Sequence, residues 1–151
     1  MSRIVKFARL PWRKKLLVAE AAGGLLRAKI LLALVPVRKL LGEPLAGAEV
    51  PAPDPAPAVL AEISWAVNAV SKVLRFSNIC LVQALAARRM ARRRGVATTL
   101  YLGVGRDNAG KLVFHAWLRY GERVVTGGRA ERTYRTLEAF RETLPSTPTH
   151  T

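Results

Sequence analysis

The hydrophobic period changes once along this chain, and that change limits the fold more than any other feature. Up to Arg94 the apolar residues recur at helical spacing, and from Ala97 they alternate at strand spacing, with Gly95 between the two regimes. A chain that is helical first and stranded afterwards reads as α+β: helices, then a small antiparallel sheet for one of them to pack against. Before the change, Leu60–Leu74 places Ile63, Val67, Val70 and Leu74 on one face and Trp65 toward an edge. A short break at Arg75–Asn78 leads into a second helix that ends at Gly95, with Leu81, Ala84 and Leu85 in register. After it, Ala97–Val104 turns Thr98, Leu100, Leu102 and Val104 to one side and Tyr101 to the other. Asp107-Asn108 marks a turn, and Lys111–Tyr120 alternates again, with Val113, His115 and Trp117 opposite Leu112, Phe114, Ala116 and Leu118. A third strand spans Arg123–Thr126 and stops at Gly127-Gly128. The spacing of Tyr134, Leu137 and Phe140 predicts a closing helix.

The first part of the chain divides by composition. Residues 1–42 form an N-terminal helical segment opened by Pro11, with predicted breaks at Gly23-Gly24 and Pro36 and a stop at Gly42. Its expected role is packing, with a solvated basic face. Residues 43–59 are a linker or strap, in which Pro44, Pro51, Pro53, Pro55 and Pro57 stand among alanines. Residues 60–144 make the core domain, and 145–151 a polar tail expected to be disordered. The longest clean apolar run, Ile30–Val37, is far short of the roughly 20 residues a membrane span needs. The segment reads as a soluble or peripheral amphipathic helix, which leaves contact with a membrane surface open.

Half of the 151 residues are hydrophobic, enough for a core, yet the formal net charge is +15. Charge of that size attracts an acidic counterpart: nucleic acid, an anionic membrane face, or an acidic protein or peptide. One cysteine excludes an internal disulfide, and one cysteine with two histidines is too few for a zinc site; no metal or cofactor is expected. This cysteine usage fits a reducing, cytoplasmic compartment.

That single cysteine, Cys80, falls in the first turn of its helix, behind the capping residues Ser77-Asn78. There the unpaired N–H groups and the helix dipole favour thiolate over thiol. His115 follows on a strand expected to lie nearby. Cysteine at a helix start with histidine on an antiparallel strand is the layout of papain-like and transglutaminase-like catalysis, the imidazole taking and returning the proton. The plain structural alternative is a small buried hydrophobe at 80 and a filler histidine at 115.

The residues around the pair carry a resemblance. Cys80-Leu-Val-Gln-Ala-Leu-Ala, the run into Arg94-Gly95-Val, Thr98–Gly103, Phe-His115-Ala-Trp117-Leu and Gly121–Gly128 resemble, in that order, the transglutaminase-like cysteine peptidase of lasso peptide biosynthesis, the B protein. Leu10-Pro-Trp-Arg13 and Trp65 are also similar to that family. The resemblance implies a papain/transglutaminase-like core that removes the leader from a ribosomally made precursor. Cys80 would be the nucleophile and His115 the general base and acid. It implies two partners besides the precursor leader: a small leader-recognition protein, since the chain's first half leaves no room for a β-rich recognition domain, and an asparagine-synthetase-like cyclase. No nucleic acid is expected.

In one respect the chain departs from that family, whose triad has an aspartate about a dozen residues after the histidine. Here Val125-Thr126-Gly127-Gly128 carries no carboxylate, and the two aspartates of the chain are Asp54 and Asp107. Thr126, a backbone carbonyl or a water is left to orient the imidazole. Gln83, one turn after Cys80, and Trp117, two along from His115, are candidates for lining the site, each with a plain packing alternative. The arginines at 88, 89 and 92–94 either meet an acidic leader or partner, or end a helix in solvent. Two other readings stay open: a different transglutaminase-like acyl transfer on the same site, and a non-enzymatic basic module for nucleic acid or membrane.

Overall fold

The computed structural model describes residues 3–44, 57–75, 79–128 and 134–141. A short helix α1 (Arg3–Ala8) precedes the long helix α2 (Trp12–Leu34), which Pro11 caps from outside. α2 runs unbroken through Gly23-Gly24, where the sequence predicts an interruption. Two helical glycines cost about 2 kcal/mol relative to alanine. The helix buries Leu17, Ala21, Leu25 and Ala28 on one side, and each buried leucine returns about 1.5–3 kcal/mol, so packing wins. Gly24 faces α5, where a Cβ would stand 3.5 Å from that of Ala86. The break expected at Pro36 does occur. The short helix α3 (Val37–Leu41) follows it and ends at Gly42, whose φ of +94° suits glycine.

Of the proline-rich strap, Glu43-Pro44 forms the two-residue strand β1, and positions 45–56 lie outside the described residues. Helix α4 (Val59–Leu74) buries the predicted face, with Ile63, Val67 and Val70 inside and Leu74 half-buried. Helix α5 (Ile79–Arg92) packs against α2 and α4 on one side and the sheet on the other. Its alanines at 84, 86, 87 and 91 are buried and let these neighbours approach closely.

The strands β2 (Thr99–Arg106), β3 (Leu112–Tyr120), β4 (Arg123–Thr126) and β5 (Arg135–Arg141) join β1 in one antiparallel sheet of order β1-β5-β2-β3-β4. β2 and β3 form a hairpin whose turn is held by Asp107: its Oδ1 accepts from the backbone N–H groups of Ala109 and Lys111, each at 2.9 Å. Leu100, Ala116, Leu118 and Phe140 point from the sheet into the main core, toward the helices. Tyr101 and Trp117 form a smaller cluster on the opposite face.

The predicted closing helix is instead β5, paired with both β1 and β2. Of the residues that suggested a helical face, Leu137 is 53% exposed and Phe140 only 6%. One buried residue in the segment makes no helical face, and the outer edge of β2 needs a hydrogen-bonding partner that the local spacing does not announce.

Candidate active site

β4 pairs with β3 only from Leu118 to Tyr120, so the edge of β3 beside His115 meets no strand among the described residues. An open cleft of about 610 Å³ lies there. Its walls are Ser64 and Asn68 of α4, Gln83 of α5, His115 of β3, the stretch from Val124 to Gly128, and Tyr134. Three residues singled out in the sequence, Gln83, His115 and Thr126, thus meet in one cavity. Cys80 sits in the first turn of α5, one turn before Gln83, half-buried and packed against the main core rather than forming part of the described wall. The proposed caps Ser77-Asn78 lie outside the described residues.

Burial holds the His115 imidazole below its ordinary value of 6.5, with no charged neighbour contributing. At neutral pH the ring is therefore uncharged and able to accept a proton. It stacks on Tyr134 at a centroid distance of 5.1 Å with planes 17° apart. The sequence reading did not place this residue beside His115, although a signal for it exists. Glycine stands at alternate positions 103 and 105 on the outer face of β2, and both spaces are filled by rings. A Cβ on Gly105 would fall 2.7 Å from Tyr134 Cδ1, and one on Gly103 would fall 2.7 Å from Trp117 Cη2.

Trp117 does not line the cleft. It is 1% exposed and stacked on Tyr101 at 5.7 Å, 7° from parallel. Behind the wall it fixes Gly127, where a Cβ would lie 2.7 Å from its own. Thr126 is buried, and its Oγ1 has no hydrogen-bond partner among the described residues, His115 included. Asp107 is used up in the hairpin turn, and Glu122 pairs with Arg119 at 3.3 Å. No carboxylate among the described residues takes the place of an aspartate behind the imidazole.

Three of the arginines at and just after the end of α5 have structural uses. Arg88 is buried and donates to the Leu41 carbonyl, under Gly42. Arg93 and Arg94 bind Glu20 of α2 at 3.2 and 2.7 Å. No cluster of three or more metal-ligating side chains occurs among the described residues, and no described helix is long and apolar enough to cross a membrane.

A cysteine on a helix that packs against an antiparallel sheet, with a neutral histidine on one of its strands beside a cleft, defines an α+β domain of the cysteine–histidine kind. The chain belongs to the transglutaminase-like superfamily, whose family description matches residues 24–139. The match takes in α2 from Gly24 onward as well as Cys80 and His115. No curated protein and no solved structure matches the chain. Superfamily membership is consistent with acyl transfer by a cysteine, as in peptidases and transferases.

Proposed function

We propose that this protein is a cysteine endopeptidase that removes the leader from a lasso peptide precursor in the cytoplasm, working with a separate leader-recognition protein and an asparagine-synthetase-like cyclase. The observation that carries the reading is the superfamily match spanning both Cys80 and His115, on a chain where Gln83 of the Cys80 helix and His115 share one cleft. The Cys80 thiolate attacks the carbonyl carbon at the leader–core junction. His115, having taken the thiol proton, gives it to the departing core amine as the C–N bond breaks, leaving the leader as a thioester. His115 then takes a proton from water, whose oxygen attacks the thioester and releases the leader carboxylate and the Cys80 thiol. Backbone N–H groups at the start of α5 suit the oxyanion formed in each step. Gln83 lines the substrate path, and Thr126, whose hydroxyl has no partner among the described residues, is the candidate third member through a bound water.

Cys80→Ala and His115→Ala are each expected to abolish cleavage of a precursor supplied with its recognition protein, with circular dichroism unchanged. Cleavage by purified Cys80→Ala protein would refute the assignment. A different acyl transfer on the same site, which the superfamily match equally supports, would show in mass spectra as a new cross-link instead of two hydrolysis fragments.

A further inference from the structure

Helix α2 is apolar on two opposite faces, and among the described residues only one of them is buried. Trp12, Leu16, Ala19, Gly23, Leu26, Ile30 and Leu34 follow one another at steps of four, three, four, three, four and four residues, and all are exposed. The five large ones are 69%, 57%, 52%, 49% and 77% exposed, in chain order. This row lies opposite the buried row Leu17, Ala21, Leu25 and Ala28. The solvated basic face expected of this segment is therefore an apolar seam about 35 Å long, at 1.5 Å per residue.

Alternating steps of three and four make a narrow seam of the kind that pairs helix with helix, where a membrane-surface helix shows a broad apolar face. The middle of the seam is hollow: Ala19 and Gly23 are small, and a Cβ on Gly23 would meet nothing within 4 Å. The exposed or half-buried cations flanking the seam include Arg13 and Arg27 on one side and Lys15 on the other. On α2 itself the one carboxylate is Glu20, already held by Arg93 and Arg94, and Glu62 of α4, in the same cavity wall as Arg13, acts on Arg94. In paired helices these flanking positions choose the partner by charge. A second copy of this chain would bring the same cations against them and be repelled.

We infer that the outer face of α2 is a docking surface for one α-helix of a different protein, with an apolar seam of its own and acidic flanks. This stands whether or not Cys80 is a nucleophile.

The probe is a fluorescent synthetic peptide of three heptads with leucine at the seam positions and glutamate on both flanks, where self-repulsion keeps it monomeric. Anisotropy titrations against the full chain should give saturable, salt-weakened binding. A matched peptide with lysine flanks should bind at least about tenfold more weakly. A Leu16→Glu/Ile30→Glu double variant should lose at least about tenfold in affinity while keeping its melting temperature, because both residues are exposed. Equal binding of the two peptides, or binding untouched by the double substitution, overturns the inference. So does a homodimer in light scattering that the double variant abolishes. Sedimentation with phosphatidylglycerol vesicles, lost in the double variant while the acidic peptide fails to bind, would assign the face to a membrane instead.

Discussion

Replacing Tyr134 with alanine removes the ring stacked on His115 and opens the imidazole to water. A stacked aromatic pair contributes about 0.5–1.5 kcal/mol beyond its buried area. If that energy holds His115 in its working orientation, its loss slows the catalysed step by about two- to twelvefold at 1.36 kcal/mol per decade. The second effect has a definite sign. Burial is what lowers the imidazole's proton affinity, so uncovering the ring must raise it toward 6.5. The acid limb of kcat/KM, which requires neutral His115, then moves to higher pH. The direct readout is the His115 ring-proton shift in NMR as a function of pH, in a chain with only two histidines. Alkylation of Cys80 by iodoacetamide across the same range needs no substrate and is unambiguous, since no other cysteine exists. Tyr134→Phe keeps the ring and should leave the midpoint in place. A midpoint that stays or falls in Tyr134→Ala would refute the view that this ring desolvates His115, and a rate loss alone would not rescue it.

Other consequences are simpler to measure. Because the lowered His115 binds a proton less readily folded than unfolded, its contribution costs nothing above about pH 6.5 and destabilises the fold as pH drops through that value; the pH dependence of the melting temperature should be shallower in Tyr134→Ala. Gly42→Ala forces a side chain onto φ +94°, ψ −159°, with a Cβ 2.8 Å from the Arg141 carbonyl and against the Arg88 guanidinium. The backbone term alone costs about 1–3 kcal/mol, so calorimetry should show a fall of at least about 3 °C, and an unchanged melting temperature would contradict the packing described here. Glu20→Gln removes the bridge from α2 to the turn after α5. The Arg94 hydrogen bond holds the Glu20 carboxyl below its ordinary value of 4.5, so its stabilisation is present above that pH and disappears as pH falls through the lower folded value. Urea midpoints should show a loss of about 1 kcal/mol or less at pH 7, shrinking in strong acid.

The sequence by itself determined the elements whose character is local. The faces of α4 and of the β2–β3 hairpin follow from period, the Asp107 turn from side-chain chemistry, and the stop at Gly42 from glycine's freedom at positive φ. It also nominates the residues for chemistry: with one cysteine and two histidines, Cys80 and His115 stand out as candidates by their position in their elements. What the tertiary structure alone decided depends on partners distant in sequence. β5 looks helical in isolation and is a strand because β2 and β1 offer it hydrogen bonds. α2 passes through Gly23-Gly24 because burial of its inner face outweighs the glycines' cost. Tyr134 reaches His115 because glycines at 103 and 105, on another strand, leave room for rings. The exposure of the second face of α2 is likewise invisible in sequence, since periodicity shows which residues are apolar but not which side the core has taken.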